Sequence, residues 1–300
     1  MSAIDKLILP PTLGPGDTIG LAAPAGPVIR EKDFADGVKI LREMGFEVKY
    51  QRDIMRRTGY LAGPDQERIS ELHDLWRDPE VKAIMAVRGG YGCLRLAPHL
   101  DLELLRLHPK IVIGFSDLTV LLNIIVRQTG AMALHGPMLT TLPRSDRESL
   151  ASFFHAITGR LPDQIKADDL EIITGGNAQG RLVGGNLTCL SHLIGTPYEP
   201  QWEKSILLLE DVAEAPYRLD RMLSHLWEAG ALRKISGLIL GGFEECGDIE
   251  PIWQRALELL KEQNIPIWGN FPTGHGPANL TLPLGCEVIM DSSRGRLRFS

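Results

Sequence analysis

The stretch IVIGFSDLTVLLNIIVR, residues 111–127, carries the pattern that decides the fold. It opens with a short apolar run typical of a buried strand, turns at Gly114-Phe115-Ser116, and continues with apolar residues at helical spacing over residues 118–127. Similar apolar runs, separated by helical patterns, occur at residues 17–23, 47–50, 83–87 and 131–134. Strands that are apolar at successive positions, without alternating polar residues, must be covered on both faces of their sheet. The sequence therefore predicts an α/β fold with a Rossmann-like, doubly wound parallel sheet in the N-terminal half.

The regular pattern loosens where Gly, Pro and Asp accumulate, in TGRLPDQIKADD and TGGNAQG. We place the domain boundary there, with an N-terminal domain over residues 1–157, a connection over 158–178 and a C-terminal domain over 179–300. In the second half, strands are predicted at residues 205–209, 237–240, 265–268, 287–290 and 296–299. Helices are predicted at residues 217–229 and 251–262.

Composition narrows the class of function. The chain has 32 Lys and Arg against 38 Asp and Glu, a net charge of −6, so a nucleic-acid partner is not expected. Four widely spaced cysteines and no paired histidines predict neither zinc nor a disulfide framework, and no cofactor is indicated. No apolar run approaches the roughly 20 residues a bilayer requires, and the first residues do not resemble a signal peptide. We expect no membrane association and a cytoplasmic location.

Ser116 lies at a strand-to-helix turn, where a nucleophilic hydroxyl can face the helix N-terminus and the following N–H, that of Asp117. The stretch resembles the G-x-S-x-G elbow of α/β-hydrolases, but Leu118 replaces its last glycine, which argues against a hydrolase of that fold. Alternatively, Ser116 or Asp117 only caps the helix.

The glycine cluster Arg88-Gly89-Gly90-Tyr91-Gly92 directly follows another predicted strand. Successive backbone N–H groups in such a loop can bind an oxyanion or a carboxylate. An ordinary tight turn explains the cluster equally well, and it matches neither common nucleotide-binding motif.

A carboxylate and an imidazole complete the set that acyl transfer requires. Glu210 follows an apolar strand, and His275 lies between two glycines in a loop, where it has no helix to pack on. His135, at the end of the strand after Ser116's helix, is an equally good candidate for the base. Pattern alone leaves both histidines open.

The assembled motifs resemble the LD-carboxypeptidase family of serine peptidases, which includes the microcin C self-immunity peptidases. In chain order, the stretches that carry the resemblance are GDTIGLAAPAGPV (16–28), AVRGGYG (86–92), IGFSDLT (113–119), LHGPM (134–138), LVGGNLTCLSHLIGTPYEP (182–200), LLLEDVAEAPYRLDRML (207–223) and GHGPANLTLPLG (274–285). The resemblance thus runs nearly end to end.

The resemblance implies a triad of Ser116, Glu210 and His275, and so chooses His275 over His135. It implies an oxyanion hole at the Gly90 and Asp117 amides. Substrate contacts are expected from Arg88, Gly89 and Asn186.

It further implies a smaller β-rich C-terminal domain, a homodimer and a murein tetrapeptide substrate that loses its terminal D-alanine during peptidoglycan recycling. Alternatives are a peptidase acting on aminoacyl-nucleotide analogues and a non-catalytic muropeptide-binding protein. Trp202 could stack on a nucleobase in the first alternative, although packing explains it as well.

Overall fold

The computed structural model describes residues 7–50, 53–167 and 169–299. The strands are β1 (Thr18–Ala22), β2 (Glu47–Lys49), β3 (Val81–Ala86), β4 (Ile111–Gly114), β5 (Ala133–His135), β6 (Gln164–Lys166), β7 (Glu171–Thr174), β8 (Asn177–Asn186), β9 (Ile206–Val212), β10 (Gly237–Glu244), β11 (Ile267–Gly269), β12 (Leu282–Leu284), β13 (Glu287–Asp291) and β14 (Arg296–Phe299). The helices are α1 (Glu31–Glu43), α2 (Asp65–Arg77), α3 (Cys93–Leu96), α4 (Leu102–Leu107), α5 (Thr119–Thr129), α6 (Arg147–Ile157), α7 (Leu187–Ser191), α8 (Pro216–Glu228) and α9 (Glu250–Leu260).

The first sheet has the order β12-β5-β4-β3-β1-β2, with β1 to β5 mutually parallel. Alternate residues of each strand enter two different cores. In β3, Ile84 packs with apolar residues of α2 and α5, whereas Met85 packs with those of α1 and α6. Both faces of the sheet are therefore covered by helices, as a parallel sheet requires. The predicted doubly wound N-terminal fold is confirmed.

The second sheet has the order β6-β14-β13-β8-β9-β10-β11-β7. Its centre, β8 to β11, is parallel, and antiparallel strands extend it on both sides. The apolar sides of α8 and α9 pack in the same core as β9 and β10. This is the β-rich second domain that the sequence predicts.

Three local features differ from the predicted elements. Residues 158–178, expected to be a connection, contribute β6 and β7 to the second sheet. Strand β12, far along the C-terminal half, returns to the first sheet and pairs antiparallel with β5. The domain division at 157 and 179 stays a prediction. The third difference is β8, a ten-residue strand between β13 and β9 in the second sheet, which was not among the predicted strands.

Helix α5 joins the two sheets. Asn123 exchanges two hydrogen bonds with the backbone of Gly184 in β8, at 2.9 and 3.2 Å. Thr119 Oγ1 accepts from the N–H of Asn186 at 3.0 Å. A side chain at Gly185 would place its Cβ 2.6 Å from Thr119 Oγ1, so only glycine permits this approach. Because Ser116 lies just before α5 and Asn186 pairs with Glu210 in β9, these contacts fix the two residues relative to each other.

None of the helices in the described ranges has the length and apolar character needed to span a bilayer.

Candidate active site

Ser116 occupies a strained turn at the end of β4. Phe115 is extended, Ser116 has a φ of +61°, and a 3-10 turn over Ser116–Leu118 leads directly into α5. A non-glycine residue in the left-handed region is uncommon, and such strain is concentrated at functional sites. The hydroxyl thus lies before a helix N-terminus, where the backbone favours developing negative charge. This is the elbow geometry of a nucleophile, although Leu118 stands at the position of its last glycine.

The glycine loop packs against this turn. A Cβ on Gly89 would lie 2.9 Å from both the Cβ and the Oγ of Ser116, so the approach requires glycine. Gly90 has a φ of +113°, and within the described residues its N–H finds no hydrogen-bond acceptor. The Asp117 carboxylate accepts from the N–H of Cys93, at the start of α3, at 2.8 Å. That bond ties the glycine loop to the Ser116 turn, bringing the predicted oxyanion donors into one region.

Arg68 is a positioning residue that the sequence analysis missed. It is fully buried, and its guanidinium donates to the backbone oxygens of Pro24, Gly63 and Gly92. It therefore holds together three loops that follow strands of the first sheet or precede α2. One signal was available, because Arg68 lies on the apolar side of α2, one residue before Ile69 and four before Leu72.

Glu210 and His275 form a hydrogen-bonded pair. Glu210, near the end of β9, is fully buried, and its Oε2 lies 2.6 Å from His275 Nδ1. The imidazole comes from the loop after β11, whose Gly274 N–H donates to Asn279 Oδ1 at 3.1 Å. A carboxylate bound to Nδ1 leaves Nε2 as the nitrogen that can accept a proton. The pair has the geometry of an imidazole base held by a carboxylate.

Burial alone would lower the pKa of His275, but the charge of Glu210, its hydrogen bond, and the charges of Asp211 and Glu244 outweigh that effect. The net result is a pKa above the usual 6.5. The charge of Glu210 therefore favours the protonated form of the His275 imidazole.

His135, the other candidate base, is completely buried. Neither ring nitrogen has a hydrogen-bond partner among the described residues, and desolvation, with a smaller effect of His275, lowers its pKa to about 3. Its ring lies edge-on to Phe115, with centroids 6.1 Å apart. A neutral imidazole with no carboxylate partner is poorly suited to act as a base.

Phe115 also contacts His275, with ring centroids 4.7 Å apart. The residue beside Ser116 therefore packs against the imidazole of the Glu210–His275 pair. Within the described ranges, no hydrogen bond joins Ser116 to His275 itself. Catalytic hydrogen bonds are often long before substrate binds and shorten in the complex.

The expected substrate contacts differ in their surroundings. Arg88 is half-buried, makes long hydrogen bonds to the backbone oxygens of Pro27 and Gly89, and lines a cavity of about 550 Å³ that also includes Gly90. Asn186 is 5% exposed, and both ends of its amide are used: it donates to Asp211 at 2.9 Å and caps α7. Asn186 is therefore placed to support Asp211, next to Glu210. Trp202 is buried and donates to Glu199, so it offers no stacking surface.

Comparison with known proteins gives consistent matches over more than nine-tenths of the chain. A probable murein peptide carboxypeptidase of Bacillus subtilis is 35% identical, covering 95% of this chain and 92% of the relative. A murein tetrapeptide carboxypeptidase of Pseudomonas aeruginosa is 34% identical, covering 93% and 94%. The microcin C7 self-immunity protein MccF of Escherichia coli is 28% identical, covering 95% and 93%. A structure of MccF in complex with aspartyl sulfamoyl adenosine superposes with a TM-score of 0.89 at 26% identity, covering 98% of both chains.

Two family profiles match in the order of the two domains. Residues 19–136 match the LD-carboxypeptidase N-terminal domain, and residues 179–290 match the LD-carboxypeptidase C-terminal domain. Together they cover most of the chain and include Ser116, Glu210 and His275. The chain belongs to the LD-carboxypeptidase family of serine peptidases.

Proposed function

We propose that this enzyme removes the terminal D-alanine of murein tetrapeptides, L-Ala-γ-D-Glu-meso-diaminopimelate-D-Ala, through an acyl-enzyme on Ser116. The observation that carries the proposal is the 2.6 Å bond between Glu210 and His275, adjoining the strained Ser116 turn through Phe115. Relatives named murein peptide and murein tetrapeptide carboxypeptidase support the substrate class.

In the proposed reaction, His275 takes the Ser116 proton as the hydroxyl attacks the carbonyl before D-alanine. The amides of Gly90 and Asp117 stabilise the resulting oxyanion, each donor contributing roughly a hundredfold or more in rate. His275 then gives the proton to the leaving nitrogen, and the C–N bond breaks. Water, activated by the same imidazole, hydrolyses the ester and restores Ser116.

The test is incubation of the purified chain with the tetrapeptide, followed by assay of free D-alanine and mass spectrometry of the quenched protein. We expect one D-alanine to be released for each tetrapeptide converted to tripeptide. In the quenched and digested enzyme, the fragment that contains Ser116 should be heavier by the mass of the acyl group. Binding without release of D-alanine or any adduct would instead support a non-catalytic muropeptide-binding protein.

A second candidate function has one specific observation in its favour. Tyr60 and Tyr91 are both exposed and pack edge-to-face with centroids 5.5 Å apart, at the rim of the Arg88 cavity. Exposed aromatic rings of this kind can stack on a nucleobase, and MccF has been crystallised with aspartyl sulfamoyl adenosine. Faster cleavage of that compound than of the tetrapeptide would favour this function over murein recycling.

The raised pKa of His275 predicts the pH dependence of acylation. The base must be neutral to accept the Ser116 proton, so kcat/KM should fall as pH decreases, with a midpoint above 6.5. A pH–rate profile with the tetrapeptide measures this midpoint. A midpoint near 3, the pKa of buried His135, would instead identify His135 as the titrating group.

The cytoplasmic location and the homodimeric state implied by the family resemblance stay predictions. Size-exclusion chromatography with light scattering measures the oligomeric state directly.

A further inference from the structure

A cavity of about 300 Å³ adjoins His275, and no residue of the glycine loop lines it. Its lining includes Phe115, Arg144, Ser145, His275 and Asn279. It shares no lining residue with the Arg88 cavity, which borders the oxyanion donor Gly90. The space is sufficient for a single small amino acid, since pockets of this size accommodate whole small ligands.

The lining side chain that has an unused polar group is Asn279, and that group is a hydrogen-bond donor. Asn279 Oδ1 accepts from the Gly274 N–H, which fixes the orientation of the amide, and its Nδ2 is buried without a partner among the described residues. Ser145, by contrast, donates its hydroxyl to the Thr141 carbonyl at 3.1 Å.

Arg144 supplies the charge. Its side chain is 57% exposed, and its described contacts are long: 3.4 Å to Asp33 and 3.3 Å to the Thr140 carbonyl. Asp33 is already paired with Arg30 at 2.8 Å. A guanidinium has five N–H donors in a planar fork that matches a carboxylate, so Arg144 retains donors for a ligand.

A second cavity, which shares Gly276 and Pro277 with the Arg144 cavity, is lined mainly by negatively charged side chains. It is lined by Asp146, Glu148, Asp169 and Glu244 with Lys166, and has a volume of about 410 Å³. Repulsion there disfavours a carboxylate ligand, whereas no acidic residue of the described ranges lines the Arg144 cavity.

The chemistry decides which part of the substrate enters the Arg144 cavity. The leaving nitrogen must receive its proton from His275, so the residue that leaves lies on the His275 side of the scissile bond. We propose that Arg144 and Asn279 bind the carboxylate of that leaving residue, and that this contact makes the enzyme a carboxypeptidase rather than an endopeptidase. The inference rests on the proposed function, since it takes the bond before the terminal D-alanine as the one cleaved. Arg88 and Arg57, beside the oxyanion donor, are then left for the acyl part of the peptide.

The test compares the tetrapeptide with its C-terminal amide. We expect the protein to prefer the acid in kcat/KM by about 10- to 100-fold, the range of a charge-assisted hydrogen bond. Arg144→Met should reduce kcat/KM for the acid by that factor, mainly through KM, and leave the amide unchanged. Arg144→Lys should restore part of the preference, because lysine keeps the charge without the planar fork. Retention of the full acid preference by Arg144→Met would overturn the proposal.

Two further measurements keep the outcome interpretable. Arg147→Met, an exposed arginine three residues away that does not line the cavity, is the charge-matched control and should behave as wild type. Calorimetry on Ser116→Ala, with and without Arg144→Met, measures binding of acid and amide without turnover. If wild type releases no D-alanine, the proposed function fails. The subsite still stands if the acid binds more tightly than the amide only when Arg144 is present, and it fails if the two bind equally.

Discussion

Ser116→Ala is expected to release D-alanine from the tetrapeptide at least about 10⁴-fold more slowly than the unmodified enzyme. Removing the nucleophile of a triad leaves only the contributions of substrate binding and the oxyanion amides. The Gly90 and Asp117 amides belong to the backbone and remain in place, so the peptide should still bind. Release of D-alanine under single-turnover conditions, together with calorimetric binding, measures both quantities.

The fold of this variant provides its control. Alanine at a φ of +61° is strained as serine is, so Ser116→Ala should retain the stability of the natural chain. Ser116→Gly should be equally inactive but more stable by about 0.5–1 kcal/mol, because relief of left-handed strain exceeds the added chain entropy. Urea unfolding of the three proteins tests this order. Activity within tenfold of wild type in either variant would remove Ser116 from the mechanism.

The parallel part of the fold was predictable because its strands are apolar on both faces. When helices cover both faces of a sheet, its strands are apolar at successive positions instead of alternating apolar with polar residues. Residues 83–87 and 111–113 show such continuous apolar runs in the sequence. Strands β6, β7, β8 and β12 were not predicted. Strands β6, β7 and β12 have only three or four residues, and β6, β7 and the start of β8 combine polar with apolar residues in or beside the Gly- and Asp-rich segment. Their pairing depends on remote strands such as β14 and β11, which no local pattern reveals.

The candidate site was predictable to the extent that its residues follow strands. Ser116 and Glu210 lie at strand ends, where parallel sheets present functional groups. The choice between His275 and His135 was not accessible to pattern, since both follow β-type segments and precede glycine. It depends on burial: His135 is completely buried, and its ring nitrogens have no hydrogen-bond partner among the described residues, whereas His275 Nδ1 lies 2.6 Å from Glu210 Oε2. The family resemblance favoured His275, and the hydrogen bond supports that choice. No sequence pattern singles out Arg144, because the cavity that it lines is formed by segments that are far apart in the sequence.

Glu210→Gln is the second change with a large expected effect, a decrease in kcat of about 10³- to 10⁴-fold. In the Ser-His-Asp triad, exchanging the carboxylate for an amide keeps the geometry but favours the wrong imidazole tautomer, at a loss near 10⁴-fold. The amide introduced by Glu210→Gln would donate its N–H₂ to Nδ1, so the imidazole proton would reside on Nε2, the atom that must accept from Ser116. The variant also loses the negative charge that raises the pKa of His275, and the acid limb of the pH–rate profile should move to lower pH.

Glu244→Gln separates loss of charge from loss of the hydrogen bond. Glu244 also raises the pKa of His275 by its charge, but it is exposed and forms no ion pair with the ring within the described residues. We expect this variant to shift the acid limb of the pH–rate profile slightly to lower pH, while kcat at the plateau stays within about threefold of wild type. If both variants lowered plateau activity equally, Glu210 would act only through its charge, and the 2.6 Å bond to Nδ1 would have no role in selecting the tautomer. A large loss confined to Glu210→Gln means that the buried carboxylate both orients the base and stabilises its protonated form.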